Sequence, residues 1–101
     1  MEYHKLVRDL IPEIMAAHGE TAVTRILNED EYQECLEKKL DEEVAEYHGS
    51  RDIEELADIL EVVCALCRAQ GHTVDELMEI YQKKHDGRGG FEKKIFLIRK
   101  E

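Results

Sequence analysis

Apolar positions recur at helical spacing through most of the chain, and alternate like a strand only in two short stretches. Tyr32, Leu36, Leu40, Val44 and Tyr47 follow one another at intervals of three and four, which marks one helical face. Ile53, Leu56, Ala57, Ile59, Leu60, Val62, Val63, Cys64, Leu66 and Cys67 form a denser pattern. At about 100° per residue they sweep roughly 220° of a helix, far more than a single stripe. Such a helix is expected to lie centrally, with part of its arc in a homo-oligomer interface, a dimer or a tetramer.

Punctuation divides the pattern into elements. Asp9 is placed to cap a first helix with Pro12 in its opening turn, running to about His18 and stopping at Gly19. Thr21 to Leu27 is rich in β-branched residues and reads as a short strand. Asn28 or Asp30 caps a long helix to about His48, and Gly49-Ser50 forms the turn. Asp52 with Glu55 resembles a capping box for a helix ending near Gln70 and Gly71. Thr73 and Glu76 form a second box, for a helix to about Asp86. Gly87-Arg88-Gly89-Gly90 is expected as a flexible loop, and Phe91 to Arg99 as a final strand. The expectation is one domain over residues 1–101, mainly α: a helical bundle with two short strands, one in each half of the chain.

Charge narrows the function classes. With 24 acids against 14 bases the net charge is −10, which opposes binding to nucleic acid, a task for clustered Lys and Arg. No apolar run approaches the length needed to span a membrane, and Met1-Glu2-Tyr3-His4-Lys5 has no apolar signal core, so the expected location is cytoplasmic. Cys35, Cys64 and Cys67 are an odd set for a disulfide framework. Cys64-Ala-Leu-Cys67 is formally a CxxC, but it lies in an apolar helical run and lacks a second ligand pair, so these thiols read as small core residues.

The acids carry the chemistry. Glu43 and Glu46 are spaced by three on one predicted helix, and Glu55 and Asp58 by three on the next, so each pair shares a helical face. On the wheel Glu43 projects between Tyr32 and Leu36, with Glu46 at the margin of that arc. Glu55 projects between Leu66 and Val62, with Asp58 at the edge, while Glu42, Glu54 and Glu61 point to the polar side. Inward carboxylates cost several kcal/mol unless paired or bound to a cation, and Lys39 is near enough to pair with only one. An oxygen-only donor set suits a hard ion, Mg²⁺ or Mn²⁺. A di-iron bundle would need Glu-x-x-His on two helices; the residues three before His4, His18, His48, His72 and His85 are Met1, Met15, Ala45, Ala69 and Gln82.

The chain resembles the MazG-like, all-α NTP pyrophosphohydrolase superfamily, whose signature is EExxE followed by ExxD. Here that signature is Glu42-Glu43-Val44-Ala45-Glu46 and Glu55-Leu56-Ala57-Asp58. Lys5-Leu6-Val7-Arg8-Asp9, Ile11-Pro12-Glu13 and Arg88-Gly89-Gly90-Phe91 are similar to the flanks of one branch, the phosphoribosyl-ATP-pyrophosphohydrolase-like house-cleaning proteins. The stretch Tyr47 to Glu54 between the acid pairs is shorter than in many MazG proteins, which leaves less room for base recognition there. The resemblance implies that Glu43, Glu46, Glu55 and Asp58 ligate Mg²⁺, with Glu43 and Glu46 as the catalytic acids. It implies hydrolysis of a nonstandard nucleoside triphosphate to monophosphate and pyrophosphate. Basic residues near flexible backbone are the expected phosphate clamps: Arg88 and Lys84 first, then Lys5 and Arg8. Two alternatives stand beside this reading: hydrolysis of phosphoribosyl-ATP, and a non-catalytic helical oligomer that binds nucleotides.

Overall fold

The computed structural model describes residues 2–101 and is built from four helices: α1 Ile11–Ala17, α2 Glu29–Ser50, α3 Ile53–Ala69 and α4 Val74–Arg88. Mainly α is therefore the class. The two expected strands are absent among the described residues. No ladder hydrogen bond joins 21–27 to 91–99, and Val23, Ile26 and Ile95 to Ile98 lie exposed. A period-two pattern only prepares a segment for a sheet; without a partner the extended backbone gains no hydrogen bonds. The second segment is also interrupted locally, because Phe91 to Lys94 forms a turn closed by the Lys94 amide on the Phe91 carbonyl, with Lys94 at φ +56°.

Capping chemistry sets most of the helix ends. Asn28 accepts from the Glu31 amide while Glu31 accepts from the Asn28 amide, and Thr73 with Glu76 repeats this box at α4. α1 starts after Leu10 without a side-chain cap, with Pro12 in its first turn, so Asp9 is not its cap. α2 continues through Gly49 and Ser50, which were expected as the turn, and stops at Arg51 in the left-handed region (φ +62°). α4 likewise absorbs Gly87 and Arg88 from the expected loop, and Gly89 at φ +79° ends it.

Glu31 is more than a cap. Arg25 grips both of its carboxylate oxygens at 3.1 and 2.7 Å, and this contact with the Asn28 amide holds its pKa at about 2 instead of 4.5. A depressed carboxylate stabilises the fold above pH 4.5, and that contribution is lost as pH falls toward 2, because the unfolded chain takes the proton first. Glu31→Gln should therefore lower the thermal midpoint at neutral pH, and the gap from the parent should close as pH drops through this window. A gap independent of pH would remove Glu31's charge from the account.

Only Arg51 and Asp52 separate α2 from α3, and the two helices pack along each other as an αα-hairpin. Leu36, Val62 and Cys67 are buried, and the Cys67 thiol donates to the Thr73 carbonyl at 3.3 Å. Cys64 is half-buried on the same helix, in keeping with packing residues. α4 touches α3 but not α2, and no helix is long and apolar enough to cross a membrane among the described residues. The chain is accordingly drawn out to 60 × 32 × 23 Å.

Candidate metal centre

The tight α2–α3 hairpin brings the two acid pairs face to face. Oxygens of Glu43, Glu55 and Asp58 lie within 4.8 Å of one another, and so do those of Glu42, Glu43 and Glu46. Glu43 belongs to both groups and is the buried charged residue of the fold, 6% exposed. Through Glu43 the two groups form one cluster of five carboxylates. All four sequence-identified acids are thus brought together. Glu42 joins them, although the wheel turned it outward, because its side chain bends back to Lys39 at 3.5 Å.

Among the described residues, two bases, Lys39 and Arg8, pair with these five acids. Lys39 sits 3.4 Å from Glu43, an i,i+4 pair readable in the sequence. The Arg8 guanidinium donates to Asp58 at 2.6 Å and reaches Glu61 at 3.5 Å. The balance leaves carboxylate capacity unused: Glu43 Oε2 and Glu55 Oε2 are buried and have no hydrogen-bond partner among the described residues. Burial raises the Glu43 pKa, against the pull of Lys39, and the Glu46 charge adds to the rise. Burial also raises Glu55, reinforced by the charges of Asp58, Glu43 and Asp52.

Glu55 shows how the site overrides local structure. As the third residue of α3 it was expected to close a capping box with Asp52, yet Asp52 makes no side-chain cap hydrogen bond. The Asp52 amide instead donates to the Ser50 hydroxyl at 3.2 Å, and the Glu55 carboxylate turns to the acid cluster. Two buried oxygens without donors, in an all-carboxylate set, are the donors a hard divalent cation accepts, so these residues fit Mg²⁺ or Mn²⁺.

The expected phosphate clamps divide. Arg8 reaches the acids directly. Lys5 lines a cleft of about 190 Å³ with His4, Cys35, Lys38, Lys39 and Glu42, next to the cluster. Lys84 and Arg88 lie exposed on α4, and no ion pair among the described residues joins either to the acids. The contribution of Lys38 was not legible in the sequence, where it is one base among many on a charged helix.

Against known proteins, no family model matches the chain, and no solved structure matches it. An uncharacterized protein of Mycolicibacterium smegmatis (strain ATCC 700084 / mc(2)155) is 60% identical over 46 residues, covering 46% of this chain and 47% of that protein. The matched stretch thus spans about half the length of that curated relative.

Proposed function

We propose that this chain hydrolyses a nucleoside triphosphate to monophosphate and pyrophosphate, with a divalent cation held by Glu43, Glu46, Glu55 and Asp58. The observation that carries the reading is the pair of buried, unpartnered oxygens on Glu43 and Glu55 at the centre of a five-carboxylate cluster. Burying uncompensated acid is costly, and a cation that also binds phosphate offsets the cost while giving the acids a task. Mg²⁺, when bound, screens the phosphate charge and lowers the pKa of a coordinated water.

The chain's own residues supply the rest. Glu43, Glu55 and Asp58 bring the donor atoms together from two rigid helices, and Lys39 fixes the Glu43 carboxylate from one side. Lys5, Lys38 and Lys39 offer positive charge in the adjoining cleft, where polyphosphate would otherwise meet a strongly acidic surface. Water oxygen bonds to the α-phosphorus, the bond from that phosphorus to the bridging oxygen breaks, and its electron pair leaves with pyrophosphate. The water proton passes to a carboxylate of the cluster, Glu43 or Glu46. Release of pyrophosphate from a panel of nucleoside triphosphates with Mg²⁺ tests the proposal; binding without turnover would favour a nucleotide-binding protein instead.

Arg8 has two roles in this reading. It neutralises Asp58 in the metal-free protein, and it is free to meet phosphate once a cation takes that carboxylate. Both partners are substantially exposed, so the pair is worth only about 0.2–1 kcal/mol. Arg8→Gln should therefore tighten Mg²⁺ binding to the nucleotide-free protein by at most about five-fold, as read by calorimetric titration. Weaker Mg²⁺ binding in that variant would show Arg8 supporting the site rather than competing for it.

A further inference from the structure

The residues before α1 lie across the acid-bearing hairpin from one helix to the other. His4, Lys5 and Leu6 form one wall of the cleft whose other wall includes Lys38, Lys39 and Glu42 of α2. Two residues further on, Arg8 reaches α3, donating to Asp58 at 2.6 Å and lying 3.5 Å from Glu61. Residues 4–8 therefore bridge the two helices that carry the clustered acids. Each end of the bridge meets the cluster itself: Lys39 pairs with Glu42 and Glu43, and Asp58 is one of the gathered carboxylates.

The bridge is lightly held. Residues 2–8 belong to no helix, and none of their amides donates to a backbone carbonyl among the described residues. α1, which follows, is not packed along any other helix. Leu6 is half-buried in the cleft, and the hold on α3 is the ion pair of Arg8, itself 53% exposed. His4 adds strain. Its backbone at φ +45° lies in the left-handed region, which is costly for a residue with a side chain and persists only while neighbouring contacts hold it.

We infer that residues 4–8 are a strap latched by Arg8 on Asp58, and that a divalent cation entering the acid cluster opens it. The inference rests on the metal centre proposed above. Asp58 has one carboxylate for two claimants, the Arg8 guanidinium and a cation shared with Glu43 and Glu55. The cation carries twice the charge and gathers several carboxylates at once, so it takes the oxygen and repels the guanidinium beside it. Once Arg8 lets go, His4 relaxes its backbone and the wall facing Lys38 and Lys39 moves off, which opens those amines to polyphosphate. Cation binding thereby precedes polyphosphate binding. Linkage makes the effect reciprocal: the factor by which the cation opens the strap equals the factor by which the closed strap weakens the cation.

Brief trypsin digestion of the full chain reads the strap directly, because trypsin cuts after Lys5, within it; the cut after Lys93, beyond α4, is the internal reference. When opening and closing outpace cutting, the rate after Lys5 follows the open fraction. Saturating Mg²⁺ should raise that rate relative to Lys93 by up to about five-fold, the range of an exposed ion pair. Arg8→Gln should be cut faster without metal and gain nothing more from Mg²⁺. Its rise in cutting should match its rise in Mg²⁺ affinity by calorimetry. Asp58→Asn, which weakens the latch without any metal, should also be cut faster than the parent. Mg²⁺ that binds the parent calorimetrically yet leaves the Lys5 cut unchanged would overturn the strap and spare the metal centre. So would an Arg8→Gln variant that still responds to Mg²⁺, or an Asp58→Asn variant cut no faster than the parent. Absence of Mg²⁺ binding to the parent would instead remove the metal centre, and the cation's control of the strap with it.

Discussion

Glu55→Gln should lower the rate of pyrophosphate release by about 100-fold or more and, in the same protein freed of metal, raise the thermal midpoint. The two effects come from one carboxylate. Glu55 Oε2 is buried without a donor, and the charges of Asp58, Glu43 and Asp52 add to the burial that raises its pKa. Between the ordinary value of 4.5 and the raised one, the folded state holds the proton more firmly than the unfolded state. Stability of the metal-free protein therefore falls as pH rises through that window, and the full cost remains above it. Glutamine removes the charge and the cost together, so the gain in midpoint should be present at neutral pH and vanish below pH 4.5.

Glu43→Gln, Glu46→Gln and Asp58→Asn should also lose most of the rate while staying folded. Glu54→Gln, on an exposed side chain, should keep the parent rate. Glu42→Gln should fall between, because Glu42 belongs to the cluster but is shared with Lys39. The products discriminate further. The chain contains no GxxxxGK[ST] run, so it lacks a P-loop for reaction at the γ-phosphorus. Pyrophosphate should be the first phosphate product, and ¹⁸O from labelled water should appear in the monophosphate. Orthophosphate as the first product, or a dead Glu54→Gln variant, would refute the mechanism.

Addition of Mg²⁺ or Mn²⁺ should raise the thermal midpoint by about 6–11 °C at ten times the dissociation constant. A ligand of the folded state stabilises by about 1.4 kcal/mol at that ratio, and each kcal/mol moves a domain of this size by about 4–8 °C. The cation relieves repulsion among five carboxylates whose counterions among the described residues are Lys39 and Arg8. Glu43→Gln combined with Asp58→Asn should abolish the shift, since these two residues take part in the clustered donor sets from both helices. An undiminished shift in the double variant would place the ions elsewhere. Metal affinity and turnover are separate readouts, so a protein that gains stability from Mg²⁺ yet releases no pyrophosphate would keep the metal centre and lose the enzyme.

Local chemistry is what the sequence by itself determined. The α2 and α4 caps follow from Asn28 with Glu31 and Thr73 with Glu76, because a capping box needs only residues three apart. The inward turn of Glu43 and Glu55 was legible for a similar reason: helical periodicity fixes direction once the apolar face is known. A tight turn between the two acid-bearing helices was also legible and brings consecutive helices together, although it falls at Arg51-Asp52 and not at Gly49-Ser50. Periodicity failed where the outcome depends on a distant partner. The stretches 21–27 and 91–99 have the residues of strands but no strand to pair with, and pairing is a property of the whole fold. Helical angle alone points Glu42 outward, whereas its long flexible side chain, beside Lys39, reaches the cluster. The exchange of Glu55 from cap to cluster, the clasp of Arg8 on Asp58 and the separation of Lys84 and Arg88 from the acids were likewise decided in three dimensions. Each depends on which charged groups lie within a few ångströms across helices, and spacing along the chain carries no record of that.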